Sequence, residues 1–206
     1  VDVLFTCGKY EDTHYLKKGF TTFLVGLPRV DSLLKENISF HEKTKILINL
    51  NFSFQYDSDE LREPWLDQVV ESCKSLGYEF IINKHYADKA PIQYPISENT
   101  FYEDCREASL LITRESSVIL ESLALGKPVV FHNLFGYNMD YFLNNQNAFS
   151  ISNDVDSLIR SIKYEIDRKE NVREFSRDYL SEKIYIEKQK DAVELISNQI
   201  KKTLKK

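Results

Sequence analysis

The stretch Ala108-Ser109-Leu110-Leu111-Ile112-Thr113-Arg114-Glu115-Ser116-Ser117-Val118-Ile119-Leu120-Glu121-Ser122-Leu123-Ala124-Leu125-Gly126-Lys127-Pro128-Val129-Val130 limits the fold more than any other part of the chain. An apolar run ends at Thr113, a polar turn follows, and a second apolar stretch runs from Val118 to Leu125. Gly126 stands where a helix C-terminus wants a left-handed residue, and Pro128 stops the helix before the strand Val129-Val130-Phe131. Strand, turn, helix and strand in such close succession specify a parallel β-α-β crossover.

The same alternation extends on both sides of this block. Lys45-Ile46-Leu47-Ile48-Asn49-Leu50 is the clearest strand of the first half. From Asp59 to Leu76, Leu61, Trp65, Leu66, Val69, Val70 and Cys73 recur at three- and four-residue spacing, which predicts an amphipathic helix ending at Gly77, with Asp57, Ser58 or Asp59 as its cap. Tyr78 to Ile82 reads as a strand, Asn99 to Ala108 as a short helix, Leu110 to Thr113 as a strand, Ser116 to Leu125 as a helix and Asp154 to Ile166 as another. Val3 to Thr6 and Phe20 to Val25 are candidate strands ahead of Gly26-Leu27-Pro28-Arg29, and a short helix starts at Val30. The Lys/Glu-rich end reads as one or two solvated helices. The fold class is therefore α/β, a Rossmann-like parallel sheet flanked by helices, with a helical C-terminal tail.

Composition bounds the function. Hydrophobic residues make up 42% and charged residues 29% of 206, a globular balance. A formal net charge of -5 argues against a nucleic-acid partner, which calls for a dominant basic face, so any phosphate must be held locally. Cys7, Cys73 and Cys105 are odd in number and widely spaced, which suits a reducing cytoplasm. No apolar run approaches the roughly 18 to 20 residues of a membrane span. With no glycine-rich phosphate loop and no metal-ligand cluster, neither a cofactor nor a metal is expected. The chain opens without Met and inside what reads as a strand, which suggests a piece of a longer protein.

In an open parallel sheet, ligands bind beyond the carboxyl ends of the strands, and the turn Arg114-Glu115-Ser116-Ser117 lies at such an end. The first amides of the next helix are unpaired and carry partial positive charge, a setting for a diphosphate, and Ser116 and Ser117 add hydroxyls without bulk. Glu121 follows Ser117 by four residues, about one 5.4 Å turn, a fitting offset between a phosphate and its ribose. A serine pair ahead of a helix is equally an N-cap, and a lone helix Glu is commonly just solvated. Asn51-Phe52-Ser53-Phe54, after the strand ending at Leu50, is placed to close over the diphosphate through Asn51 and Ser53, with its aromatics alternatively serving as packing. Cys7-Gly8-Lys9-Tyr10 has the composition of an anion-binding turn.

Taken together, these segments resemble the GT-B glycosyltransferases, and within them the bacterial surface-polysaccharide enzymes related to CDP-glycerol glycerophosphotransferases, polysialyltransferases and Kdo transferases. The resemblance covers roughly residues 25–166. It implies that Ser116 and Ser117 contact the donor phosphates and Glu121 the ribose. Ile82-Asn83-Lys84-His85 resembles the family's strand-end Lys-x-His or His-Pro element, which implies a phosphate contact for His85, although Tyr86 stands where a Pro would complete the match. Gly26-Leu27-Pro28-Arg29-Val30-Asp31 resembles the family's Gly-x-Pro-Arg-x-Asp element and also reads as a turn with an N-cap; it receives no catalytic role.

The resemblance divides the chain into residues 1–24, a remnant or linker from a preceding domain, 25–170, the nucleotide-sugar-binding domain, and 171–206, the tail. It implies a transferase that carries a sugar from a nucleotide-activated donor to a bacterial surface glycan. That enzyme would be incomplete without an N-terminal acceptor-binding domain and would work in the cytoplasm or at the inner face of the membrane. No catalytic base is identified. The alternatives are a CDP-alcohol phosphotransferase of wall or capsule polymer synthesis, a non-catalytic module keeping the fold and, ranked lower, a sugar-nucleotide 2-epimerase.

Overall fold

A strand covered on both faces is apolar along its whole length rather than on alternate residues, and the segments Lys45–Leu50 and Leu110–Thr113 are of that kind, buried almost throughout. The computed structural model describes residues 3–52, 59–138 and 140–204. Along these the chain runs β1 (Leu4–Thr6), α1 (Lys9–Lys17), β2 (Thr22–Leu24), α2 (Pro28–Leu33), β3 (Lys45–Leu50), α3 (Asp59–Ser75), β4 (Glu79–Lys84), α4 (Phe101–Glu107), β5 (Leu110–Thr113), α5 (Val118–Leu125), β6 (Val129–His132), α6 (Asp140–Leu143), β7 (Ser150–Ser152), α7 (Val155–Asp167), a 3-10 turn (Lys169–Asn171), α8 (Val172–Phe175), α9 (Arg177–Lys183) and α10 (Ala192–Thr203).

Five strands form one parallel sheet in the order β4-β3-β5-β6-β7. After β3 the chain adds β4 on one side, then returns to add β5 on the other, so the strand order reverses between β3 and β5. That is the topological switch point, where an open α/β sheet leaves a crevice beyond its carboxyl ends. In the register there, Ile46 pairs with Leu110, Ile48 with Ile112 and Asn49 with Thr113. Consecutive residues point to opposite faces. Leu47, Leu111, Val129 and Phe131 thus meet α2, α4, α5 and α9 in one core. Ile46, Ile48, Leu110, Ile112 and Val130 meet Trp65, Leu66, Val69, Val70 and Cys73 of α3 and Leu158 and Ile162 of α7 in the other. The expected Rossmann-like sheet with helices on both faces is the architecture observed.

Several elements differ in extent from their sequence reading. The helix expected from Ser116 begins at Val118, because Ser116 and Ser117 form the turn before it. Gly126 ends it in the left-handed region at φ 84°, as expected, and a Cβ there would also meet Ile38 at 2.2 Å. Asp57 and Ser58, two of the proposed caps of α3, lie outside the described residues. Thr100 caps α4 reciprocally with Glu103, and Asp154 caps α7 with Ser157.

Residues 4–24 contribute a second, two-stranded parallel sheet of β1 and β2 bridged by α1. The turn at Cys7-Gly8 is filled by the protein's own anion, since the Cys7 amide donates to the Glu11 carboxylate at 2.9 Å. Gly8 is required by close approach: a Cβ there would meet the Lys183 backbone at 2.2 Å. Lys183 itself is buried, with its ammonium 4.0 Å from the Tyr10 ring centroid, 4.7 Å from Tyr141 and 5.6 Å from Tyr179. Cation–π contact and the Glu182 carboxylate at 3.0 Å compensate this charge for leaving water. The small sheet is thereby fastened to the tail helix α9.

The segment Gly26-Leu27-Pro28-Arg29-Val30-Asp31 joins the two sheets. Asp31 does not cap its own helix. Its carboxylate accepts from the Ala192 amide at 2.7 Å, at the start of α10, and pairs with Lys188 at 2.7 Å. Lys188 also donates to the Val25 carbonyl at 3.2 Å. Among the described residues no helix is long and apolar enough to cross a membrane.

Candidate functional site

The carboxyl ends of β3 and β5 are tied together at the switch point. The Thr113 hydroxyl donates to the Asn49 side chain at 3.2 Å, the Asn51 amide group donates to the Glu115 carbonyl at 3.4 Å, and the Arg114 guanidinium donates to the Asn51 carbonyl at 3.1 Å. Arg114 is buried, lies 4.1 Å from the Phe52 ring centroid and pairs with Glu115 at 3.2 Å. Phe52 in turn packs edge-on against Trp65. Of the two readings for the aromatics of this loop, packing is the one Phe52 follows. Ser53 lies outside the described residues.

This frame presents the tip of α5. Ser117 is exposed and Ser116 half-buried. The Ser116 hydroxyl accepts from the Val118 amide at 3.4 Å, while the Ser117 side chain caps nothing. Among the described residues the amides of Ser116 and Ser117 have no hydrogen-bond acceptor. Unpaired amides and an unused hydroxyl at the positive end of a helix are what an anion needs.

Glu121, one turn further along, is only 4% exposed. One carboxylate oxygen receives the Tyr102 hydroxyl at 2.6 Å and the other faces the Arg29 guanidinium at 3.0 Å. Burial, then the bond to this carboxylate, push the Tyr102 phenol up to about 12, so it stays a donor at neutral pH. Neither partner was visible in the sequence: Arg29 belongs to a segment read as a turn, and nothing in the spacing joins Tyr102 to Glu121.

His85 stands at the end of β4, two strands from β5, about 10 Å at ordinary strand spacing. Its amide donates to the Leu50 carbonyl at 2.9 Å, its Nδ1 accepts from the Ala87 amide at 3.3 Å, and its Nε2 has no partner among the described residues. The loop that carries it is fixed from beneath. Arg62 makes two bonds to Asp88, at 3.1 and 3.0 Å, with both side chains buried, and Asp88 accepts from the Ala90 amide at 3.1 Å. Lys84, paired in sequence with His85, is turned into this loop toward the Ala90 carbonyl and Asp88. The arrangement thus places Ser116, Ser117, Glu121 and Asn51 around one helix tip, with His85 two strands away along the same sheet edge.

Two more strand-end groups escaped the sequence reading. Arg114 had a signal, a cation directly after the strand at the switch point. His132 ends β6, fully buried, with Nδ1 3.0 Å from the Ser152 hydroxyl and Nε2 without a partner among the described residues.

The fold, a parallel sheet of this order with helices on both faces, is shared with solved structures of GT-B nucleotide-sugar enzymes. The wall teichoic acid polymerase TagF, in a crystal of its H444N variant soaked with CDPG, is similar over 98% of this chain and 59% of its own, at 21% identity and a TM-score of 0.62. S. aureus MnaA with UDP is similar over 100% of this chain and 60% of its own, at 15% identity and a TM-score of 0.65. The Methanocaldococcus jannaschii UDP-GlcNAc 2-epimerase, in complex with UDP-GlcNAc and UDP, is similar over 86% of this chain and 59% of its own, at 16% identity and a TM-score of 0.60. This chain therefore spans about three-fifths of the length of these enzymes. By sequence, no protein-family model and no curated protein matches it.

Proposed function

We propose that the chain is the donor-binding domain of a GT-B transferase that takes a sugar from a nucleotide-activated donor and passes it to a bacterial surface glycan. The observation that carries this reading is the switch-point helix tip, where the amides of Ser116 and Ser117 and the Ser117 hydroxyl stand without partners among the described residues, beside Asn51. In this reading the donor diphosphate rests there, its ribose reaches Glu121, and His85 takes the far phosphate or the leaving oxygen. Charge developing on the departing phosphate would be stabilised by donors already aimed at it.

Residues 1–24 belong, in this proposal, to a preceding acceptor-binding domain, residues 25–170 to the donor domain and 171–206 to the tail. Two parallel strands make too small a sheet to stand alone, and Phe5 and Phe20 are exposed beside them, which supports further strands being added there. The isolated chain is expected to bind nucleotide yet turn over donor negligibly, because the acceptor's general base would come from that domain. Appreciable transfer in a donor-hydrolysis or glycan-extension assay with these 206 residues alone overturns that division.

A CDP-alcohol phosphotransferase is the second reading, supported by the likeness to TagF along nearly the whole chain. Epimerase chemistry has less support: Glu115 and Asp88, acidic groups near the sheet edge, are engaged by Arg114 and Arg62.

The test is calorimetric titration with CMP, CDP, UDP and GDP. Removing a single site hydrogen bond in Ser116→Ala, Ser117→Ala or Glu121→Ala is expected to cost about 1 to 3 kcal/mol, roughly tenfold or more in Kd. An unchanged Kd in the triple variant rejects the site. The nucleotide that binds also separates the two donor classes.

A further inference from the structure

We infer that Arg29 changes partner with occupancy of the site, held by Glu121 when the site is empty and by the donor diphosphate when it is filled. The inference rests on the donor-site reading above and adds to it a residue of the inter-sheet segment.

Both oxygens of the Glu121 carboxylate are engaged, by Arg29 at 3.0 Å and Tyr102 at 2.6 Å, and the side chain is only 4% exposed. A ribose diol therefore reaches Glu121 only by displacing one of the two. Tyr102 is tied to its place by α4, whereas the Arg29 side chain is 48% exposed and has no other hydrogen-bond or ion-pair partner among the described residues. An ion pair with one member half in water is held weakly, so Arg29 is the group that yields.

Its backbone does not follow. Pro28 fixes the start of α2, and two residues beyond Arg29 the carboxylate of Asp31 is pinned by Lys188 and the Ala192 amide. The freed guanidinium therefore stays within one side-chain length of Glu121. Ser117 lies one helical turn, about 5.4 Å, from Glu121 toward the tip. A diphosphate resting there offers more negative charge than the carboxylate just vacated, and its paired oxygens match the planar fork of an Arg. When the site is empty, the same guanidinium keeps the buried carboxylate from standing with a single neutral partner. One side chain thus serves both states, and binding couples the ribose contact to the phosphate contact.

The experiment compares nucleoside with nucleoside diphosphate, cytidine with CDP and uridine with UDP, on the wild type, Arg29→Ala, Arg29→Lys and Glu121→Gln. In Arg29→Ala the nucleoside is expected to bind as well as or better than in the wild type, while the advantage of the diphosphate over the nucleoside shrinks about tenfold. Arg29→Lys, which keeps the charge without the fork, is expected to restore part of that advantage. A purely structural Arg29 would shift both ligands by the same factor and leave the ratio unchanged. An unchanged ratio with Glu121→Gln still weakening CDP or UDP overturns the Arg29 inference alone. If Glu121→Gln leaves both diphosphates unaffected, or neither binds the wild type, the donor-site reading fails and this inference with it.

Discussion

Asp88→Ala is expected to lower the free energy of unfolding by about 3 to 5 kcal/mol, because it removes the carboxylate that accepts two bonds from the buried Arg62 guanidinium. Arg62 is 4% exposed and donates to this carboxylate at 3.1 and 3.0 Å. Its guanidinium carbon sits 5.6 Å from the Phe52 ring centroid, so it cannot reach water without disturbing the packing under the switch point. Urea unfolding followed by circular dichroism measures the loss. The double variant Arg62→Met/Asp88→Leu should recover most of it, since a pair of fitting apolar groups needs no compensation. An Asp88→Ala protein within 1 kcal/mol of the wild type would show that Arg62 finds another route to solvent. The change also reaches the loop that follows His85, because the Asp88 carboxylate accepts from the Ala90 amide.

Acidification is the second large perturbation. Burial lowers the His132 imidazole from its ordinary 6.5 to about 4, against smaller opposing contributions from Ser152 and Asp154. The folded state thus keeps the ring neutral while the unfolded chain takes up a proton below about 6.5. Stability is therefore fully present above that pH and falls as pH drops from 6.5 toward 4, by about 3 kcal/mol in all. Unfolding measured at pH 7, 5.5 and 4.5 should show this slope, and His132→Gln should flatten it. An equal slope in both proteins would assign the acid sensitivity elsewhere. The ring is 5.9 Å from Trp65, whose indole donates to the His132 carbonyl at 2.9 Å, so protonation strikes the core between α3 and the sheet.

The sheet was legible because its strands are covered on both faces. Lys45–Leu50 and Leu110–Thr113 occupy the residues that their apolar runs predict. Helix α3 followed its three- and four-residue spacing to within a residue. Helix α1 was not legible: none of its residues is buried, so Lys9–Lys17 carries no apolar period to read. Strand β7 is three residues long, too short for a pattern, and takes its place from the pairing of Val130 with Ser150. The reciprocal caps at Thr100 with Glu103 and Asp154 with Ser157 were available as signals and would have sharpened two boundaries.

For the candidate site, the helix tip was readable because strand, turn and helix are contiguous. The partners of Glu121 were not, since Arg29 and Tyr102 come from separate helices brought in by tertiary packing. Asp31 shows the same limit: its segment reads as a turn with an N-cap, and its carboxylate goes to an amide 161 residues away. Local sequence specifies which groups want partners, and only the assembled fold decides which ones they get.

That long reach has a consequence for how the protein is made. Synthesis delivers the inter-sheet segment more than 150 residues ahead of residues 188–192, yet Val25 and Asp31 find their ligands there. On the ribosome, the sheet can assemble while the joint beside it is still unfinished. The joint between the small β1–β2 sheet and the larger one can therefore close only after residues 188–192 have emerged.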